Sequence, residues 1–352
     1  MVRMTPLELT RDQVLRYRRS VGALDEKLPW STAALRTVGW AGLQDSVPRG
    51  AQVAIHARIA GAGPDAWADP SLVQLWGPRF SVFVVAAEDH GVFALGTMPD
   101  DPRGRARAEA TAAELTRFLD GRRMTYSEAG RSMGIPPNSL RYAAATGMVR
   151  IRWEGAGQPL IWTVPAPSIT PEAARAELAR RYLHVVGPQT PAAIAWWGGM
   201  KPARGRDAFE RVRDELVPVR TPLGDAWILA ADEDAFRSPG PERALARLLP
   251  SGDPYLMAGD RELLVPDAAH RGILWEPSTV WPGGLLVRGE LAGTWRRSGP
   301  KLTIHAWRAL SAAERAAAEE EAATLALPGI NRAMRVAWID EAAPSSRRPP
   351  PA

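Results

Sequence analysis

The stretch 124-MTYSEAGRSMGIPPNSLRYAAATGMVRIRWEGAGQPLIWTV-164 decides the fold. Thr125 to Met133 has the composition of a short helix, with Thr125 or Ser127 at its cap. Gly134 makes a turn. Pro136 to Ala145 reads as the next helix, with proline in the first turn, where its missing N–H costs nothing, and Gly147 stops it. Met148 to Trp153 and Pro159 to Val164 are strand-like runs around a glycine-rich tip, Glu154 to Gln158. Ala110 to Leu119 supplies a preceding helix. Helix, helix, turn, helix and hairpin is the order of a winged helix.

The order recurs downstream. Pro171 to Val186 reads as a helix, Thr190-Pro191 starts a second, Gly198-Gly199 turns it, and Pro202 to Glu215 is a third. Leu216 to Arg220 and Ala226 to Ala230 then flank the turn Pro222-Leu223-Gly224-Asp225. The copies share little sequence, so what repeats is the structural order. Upstream, helices are expected over 6–20, Ser31 to Trp40, Gly50 to Ile59 and Ser71 to Trp76, with a strand from Phe80 to Ala86. Asp101 to Glu109 reads as a linker or the start of a solvent-facing helix, and 235–250 as a linker. Beyond it the chain is β-rich, with strands expected at Arg261 to Val265, Gly284 to Arg288, Leu291 to Trp295 and Leu302 to Ala306, then a helix from Ser311 to Leu327. The expected class is α+β: tandem winged-helix modules with a C-terminal β-rich region. Its units are 1–100, 108–168, 169–235 and 245–340, with a Pro/Ser/Arg-rich disordered tail at 341–352.

Composition narrows the function. The 352 residues suffice for two to four domains, and no apolar run approaches the ~20 residues of a membrane helix. The charged, periodic N-terminus has no signal-like stretch, so a cytoplasmic protein without membrane contact is expected. Cysteine is absent, which removes disulfides, thiol nucleophiles and thiolate metal sites. The five histidines stand apart in sequence with no ligand spacing, so neither metal nor cofactor is expected. The net charge is +5 with only three lysines, Lys27, Lys201 and Lys301, so arginine carries the positive charge. Residues 117–153 hold seven arginines against Asp120 and Glu128. This clustering around one DNA-reading motif points to a polyanionic partner, double-stranded DNA, although a solvated basic face would look the same.

At this point the chain resembles a known family, the AlkZ-like winged-helix DNA glycosylases, over roughly residues 6–330. The resemblance rests on Gly42-Leu43-Gln44 followed by Pro48-Arg49, and on Arg79 entering the strand to Val85 before Ala87-Glu88-Asp89. It rests further on Glu177-Leu178-Ala179-Arg180-Arg181-Tyr182-Leu183, Gly187-Pro188, Thr190-Pro191 and Leu248-Leu249-Pro250. Asp253-Pro254-Tyr255, Asp260-Arg261 and Gly293-Thr294-Trp295-Arg296-Arg297 complete the set. It implies three winged helices, a C-terminal β-rich region and excision of alkylated purines, cationic or bulky, from DNA. The family's active motif is Gln–apolar–Gln or Gln–apolar–Asp; here it reads Gln44-Asp45-Ser46, and Phe83 stands where the family usually has His.

Cleaving an N-glycosidic bond develops oxocarbenium character, so the site must place a water and stabilise positive charge. Gln44 is the candidate for orienting the water, with Ser46 beside it, since i and i+2 share a face of an extended segment. Asp45 would contribute only if the segment turned; otherwise Asp45 and Ser46 cap the helix after Pro48. With three lysines and none in the motif, a monofunctional enzyme that leaves an abasic site is expected. DNA contacts are expected from Arg49 and Arg79 near the motif, and from Asn138, Ser139, Arg141 and Tyr142 on the third helix of the 108–168 module. Arg150 and Arg152 lead into its wing. Lys201 and Arg204, with Arg206, open the corresponding helix at 202, and Arg296, Arg297 and Lys301 form a basic hairpin. Trp196-Trp197 could stack a base, but helical spacing with Ile194 puts at least one ring in the core. A catalytically inactive DNA binder and a transcriptional regulator are the competing readings; the regulator is disfavoured because no dimerisation helix is evident, and a monomer is expected.

Overall fold

The computed structural model describes residues 6–155, 157–277 and 280–340. The tail expected at 341–352 lies outside the described residues. Polar caps start most of the helices. After β1 (Leu7–Glu8), Thr10 and Gln13 form a capping box on α1 (Arg11–Val21). Ser31 caps α2 (Thr32–Gly39). Then come β2 (Leu43–Gln44), α3 (Gly50–Arg58), β3 (Leu72–Trp76), β4 (Val82–Ala86) and α4 (His90–Leu95).

Two units with matching order follow. In the first, Asp101 caps α5 (Pro102–Leu119), and β5 (Met124–Thr125), α6 (Tyr126–Ser132), a 3₁₀ helix at Pro137–Thr146, β6 (Val149–Arg152) and β7 (Leu160–Thr163) complete the unit. The short β5 pairs antiparallel with β7. In the second, α7 (Pro171–Val186), α8 (Pro191–Gly198) and α9 (Pro202–Arg211) precede β8 (Leu216–Thr221) and β9 (Gly224–Leu229). Here Gln189 bridges Trp227 of β9, as β5 does β7. The remainder comprises α10 (Glu233–Arg237), β10 (Ala246–Leu249), α11 (Arg261–Leu264), α12 (Ala268–Leu274), β11 (Gly283–Val287), β12 (Glu290–Ser298), β13 (Lys301–Ala306), α13 (Ala312–Ala323) and β14 (Arg335–Asp340). Strands β10 to β14 form one sheet in chain order, against which α13 packs Ala318 and Ala322 with Leu248, Leu285 and Leu302. The whole is a mixed α and β fold.

The sheets cross the boundaries that the sequence suggests. A six-stranded sheet in the order β2-β4-β3-β6-β7-β5 joins the N-terminal strands to the hairpin β6–β7 through Gln74 and Ile151. Strand β1 pairs in parallel with β8, Leu7 against Val219.

Several elements differ from expectation. Residues 72–76 are a strand, not part of a helix: buried on both faces and flanked by β4 and β6, this short apolar run takes its conformation from the ladder. Residues 261–264 are one helical turn, not a strand, which buries Leu263 and Leu264 together. The segment 246–249, read as linker, is β10, paired with β11. Residues 102–109 belong to α5, whose buried positions Ala108, Ala112, Leu115 and Leu119 recur at helical spacing. The helix expected at Pro136 to Ala145 is wound as 3₁₀ over 137–146.

Candidate active site

The motif sits where β2 turns into α3. Gln44 lies opposite Phe83 of β4, and the Asp45 N–H donates to the Val82 carbonyl at 2.7 Å. Extended backbone then separates the three side chains as the alternation rule requires. Gln44 and Ser46 are half-buried, while Asp45 points inward and is 0% exposed.

Asp45 is fully engaged. One carboxylate oxygen accepts the Ala51 N–H at 3.0 Å, capping the first turn of α3, and the other accepts Gln74 Nε2 at 2.7 Å. The Arg49 guanidinium stands 3.5 Å from it. Burial outweighs these contacts and pushes the carboxyl up to about 6. Of the two roles weighed for Asp45, the geometry is that of the cap. Ser46 does not cap: its Oγ accepts the Val82 N–H at 3.1 Å.

Gln74 links the motif to the second hairpin. Its Oε1 accepts the Trp153 N–H at 2.6 Å, and Arg49 donates to the Trp153 carbonyl at 2.6 Å. Arg49 has φ 70 at the N-cap of α3 and stacks 3.7 Å from the centre of Trp67, over which Arg152 also lies at 4.0 Å.

Gln44 Oε1 accepts from Arg79 Nη2 at 3.0 Å, and the other Arg79 nitrogen donates to the Trp197 carbonyl at 2.7 Å. Arg79 and Phe80 form a left-handed turn between β3 and β4, with φ 59 and 54. Burial lowers the Arg79 guanidinium to about 10. Two glycines make this approach possible. A Cβ on Gly252, at φ 76, would lie 2.9–3.2 Å from the Gln44 amide, and one on Gly199, at φ 64, would lie 2.8 Å from Arg79 Cγ. The turn carrying Gly252 is tied to α3 by the buried bidentate pair of Arg58 and Asp253, at 2.8 and 2.7 Å.

A cleft of about 240 Å³ opens beside the motif, bordered by Pro48, Arg49, Ser251, Trp281, Arg296 and Arg297. Of the predicted residues, Arg49, Arg296 and Arg297 border this cleft, whereas Gln44 borders a separate small space of about 10 Å³ with Phe83, Trp197 and Gly252. Arg296 donates to the Val280 carbonyl, Arg297 to that of Gly299, and Lys301 is exposed at the start of β13.

The other DNA-contact candidates are spread over the molecule. Asn138 is exposed and Ser139 half-buried on the 3₁₀ helix. Arg141 lies near Trp76 and Tyr126, with ring centres 5.5 and 5.9 Å away. Tyr142 stacks under Arg107 at 3.6 Å and meets Phe80 edge-on. Arg150 is half-buried against His90 at 3.3 Å, and Arg152 pairs with Glu154 at 3.5 Å. Lys201 is exposed at the N-cap of α9, as is Arg206 within that helix. Arg204 is turned inward to Asp100 and the Met98 carbonyl.

Sequence reading missed Gln74, Trp153 and Gly252. The one signal for Gln74 is a polar residue inside the apolar run Leu72–Trp76, hidden by reading that run as a helix. Among the described residues no cluster of three His, Asp or Glu side chains could hold a metal ion, and no helix is long and apolar enough to cross a membrane. His56 is buried against the Glu321 carbonyl at 3.1 Å, and burial lowers it to about 4.

The profile of the family described as DNA glycosylase AlkZ-like matches residues 35–327, so the chain belongs to the AlkZ-like DNA glycosylase family. Among solved structures, Streptomyces sahachiroi DNA glycosylase AlkZ shares its fold: the TM-score is 0.77 at 19% identity, covering 95% of this chain and 100% of that one. No curated protein matches at the sequence level.

Proposed function

We propose that the chain is a monofunctional DNA N-glycosylase that removes alkylated purines, cationic or bulky, from double-stranded DNA, acting as a monomer in the cytoplasm. The observation that carries this reading is the pairing of Gln44 with Arg79 where β2 turns into α3. Arg79 holds the amide oxygen at 3.0 Å, which orients the amide and leaves its nitrogen to bind the attacking water or the substrate. A cationic alkylpurine is already a good leaving group, so orienting a water and stabilising the sugar cation are the remaining tasks. Asp45 serves as a buried strut that sets the β2–α3 turn, and Ser46 ties the same turn to β4 through the Val82 N–H. The repeated order of α5–β7 and α7–β9 supports tandem winged helices. DNA would meet the exposed Asn138, Lys201, Arg206 and Lys301, together with Arg296 and Arg297 at the cleft.

Lysine chemistry is disfavoured at this site. Lys27 is committed to Glu321 at 2.9 Å, and no amine stands in the motif. The test is single-turnover release of N7-methylguanine from duplex DNA by the wild type, Gln44→Ala and Asp45→Asn. Release that collapses in Gln44→Ala and survives in Asp45→Asn supports the assignment; release that survives in Gln44→Ala rejects it. One observation favours a second reading, a damage binder without catalysis: Asp45 is spent on the Ala51 N–H and the Gln74 amide, and the acceptor side of Ser46 on the Val82 N–H. Salt-sensitive binding of alkylated DNA with no release would select that reading.

A further inference from the structure

The two tryptophans of α8 are not equivalent. Trp197 is 5% exposed and packs on Tyr182 in the core, whereas Trp196 is 40% exposed. Two guanidiniums flank the Trp196 ring: Arg261 at 4.6 Å and Arg79 at 5.5 Å from its centre. Most of the inward-facing arginines of this chain meet a carboxylate, as Arg18 meets Asp260, Arg58 meets Asp253 and Arg175 meets Asp207. Among the described residues, Arg79 and Arg261 form no ion pair. The Nη2 of Arg261 is buried without a hydrogen-bond partner. Burial lowers both guanidiniums; the charge of Arg261 lowers Arg79 further, while Glu262 acts against the lowering of Arg261.

Neither cation has a carboxylate within ion-pair distance among the described residues, and Glu262 offsets the burial of Arg261 only in part, so a bound anion would relieve the remaining cost. Beside them a cavity of about 420 Å³ opens between Thr190, Trp196, Leu223, Asp225 and Glu262, within the usual size of small-ligand sites. An exposed indole beside a guanidinium with an unpartnered nitrogen at the cavity wall is the chemistry of a base-stacking site. Arg79 also holds Gln44, so the ring and the candidate catalytic amide share one side chain.

We infer that Trp196 is the stacking surface for an unpaired purine of the bound DNA, with Arg261 receiving the adjoining phosphate. This rests on the reading that the chain acts on a DNA base beside Gln44. Trp196 here is a specificity residue; it takes no part in bond cleavage. Trp197 cannot share the role, because its ring fills the core.

The test uses the full chain and two labelled duplexes, one with a single bulged adenine and one with a tetrahydrofuran abasic residue in its place. Binding is followed by fluorescence anisotropy for the wild type, Trp196→Ala and Trp196→Phe. Trp196→Ala should weaken binding of the bulged adenine by about 5- to 150-fold and leave the abasic duplex unchanged, while Trp196→Phe should recover most of the loss. Equal weakening on both duplexes, or no weakening on either, overturns the inference. Base release by the wild type is read separately on alkylated DNA. Intact discrimination by Trp196 without release would sink the catalytic reading alone. Release without discrimination would sink only the stacking site.

Discussion

The hairpins β6–β7 and β8–β9 close two units of the same element order, yet they lean on different things. Strand β6 joins the N-terminal sheet, and the residue after it, Trp153, bonds through both backbone groups to Gln74 and Arg49. Its arginines follow suit: Arg152 lies over Trp67 and Arg150 against His90. The hairpin β8–β9 touches the N-terminal part through the short β1 and keeps its turn exposed, with Leu223 51% accessible beside the Trp196 cavity. The same order of elements therefore serves two ends. One copy is a buttress for the Gln44-Asp45-Ser46 segment, and the other frames an open pocket. Repetition of a fold does not carry repetition of a role; the neighbours decide that.

This contrast can be broken at the Gln74 link first. Gln74→Leu leaves one oxygen of the Asp45 carboxylate and the Trp153 N–H without their hydrogen-bond partners, and should destabilise the protein by roughly 2–6 kcal/mol in chemical denaturation, with faster hydrogen exchange at Trp153. An unchanged midpoint would mean that the second hairpin is not anchored there.

The next effect is a pH dependence. The Asp45 carboxyl in the folded chain is raised to about 6 from an ordinary 3.8, so the protonated form is the one that folding favours. Its contribution is present below about pH 4 and is lost as pH rises through 6. Compared with Asp45→Asn, which cannot titrate, the wild type should lose about 2 kcal/mol between pH 4 and 7. Parallel stability profiles would show that the carboxyl is not buried as described. Smaller still, Ser46→Ala removes the acceptor of the Val82 N–H, and a loss of about 1 kcal/mol in thermal unfolding is expected. The third unit supplies the contrasting case. Arg220 and Asp225 pair at 3.2 Å on the exposed face of β8–β9, and Arg220→Ala should shift stability by less than about 0.5 kcal/mol. A large loss there would erase the distinction between buttress and open frame.

Much of the secondary structure was legible because its signals are local. Thr10, Ser31, Thr125, Thr170, Thr190 and Ser311 each accept an N–H of the turn that follows, so a cap and the next three residues suffice to read a start. Glycine and proline mark the hairpins in the same way. The apolar run at 72–76 lacks such a signal, and its strand forms because two neighbours offer ladder bonds. Arginine resists local reading most. Arg58 and Arg204 look alike in sequence, as do Arg18 and Arg206, yet only Arg206 is exposed. Arg18 finds Asp260 from 242 residues away and Arg58 finds Asp253 from 195.

By itself the sequence determined the capped helix starts at Ser31, Thr125 and Thr190, the two hairpins, the lack of thiol chemistry and the motif Gln44-Asp45-Ser46, because each depends on residue type and spacing within a few positions. Tertiary structure alone decided that Asp45 is buried against Ala51 and Gln74 and that Gln44 is held by Arg79. It alone left Trp196 open while Trp197 fills the core. Burial and charge pairing are properties of what surrounds a side chain, and those surroundings are assembled from distant parts of the chain.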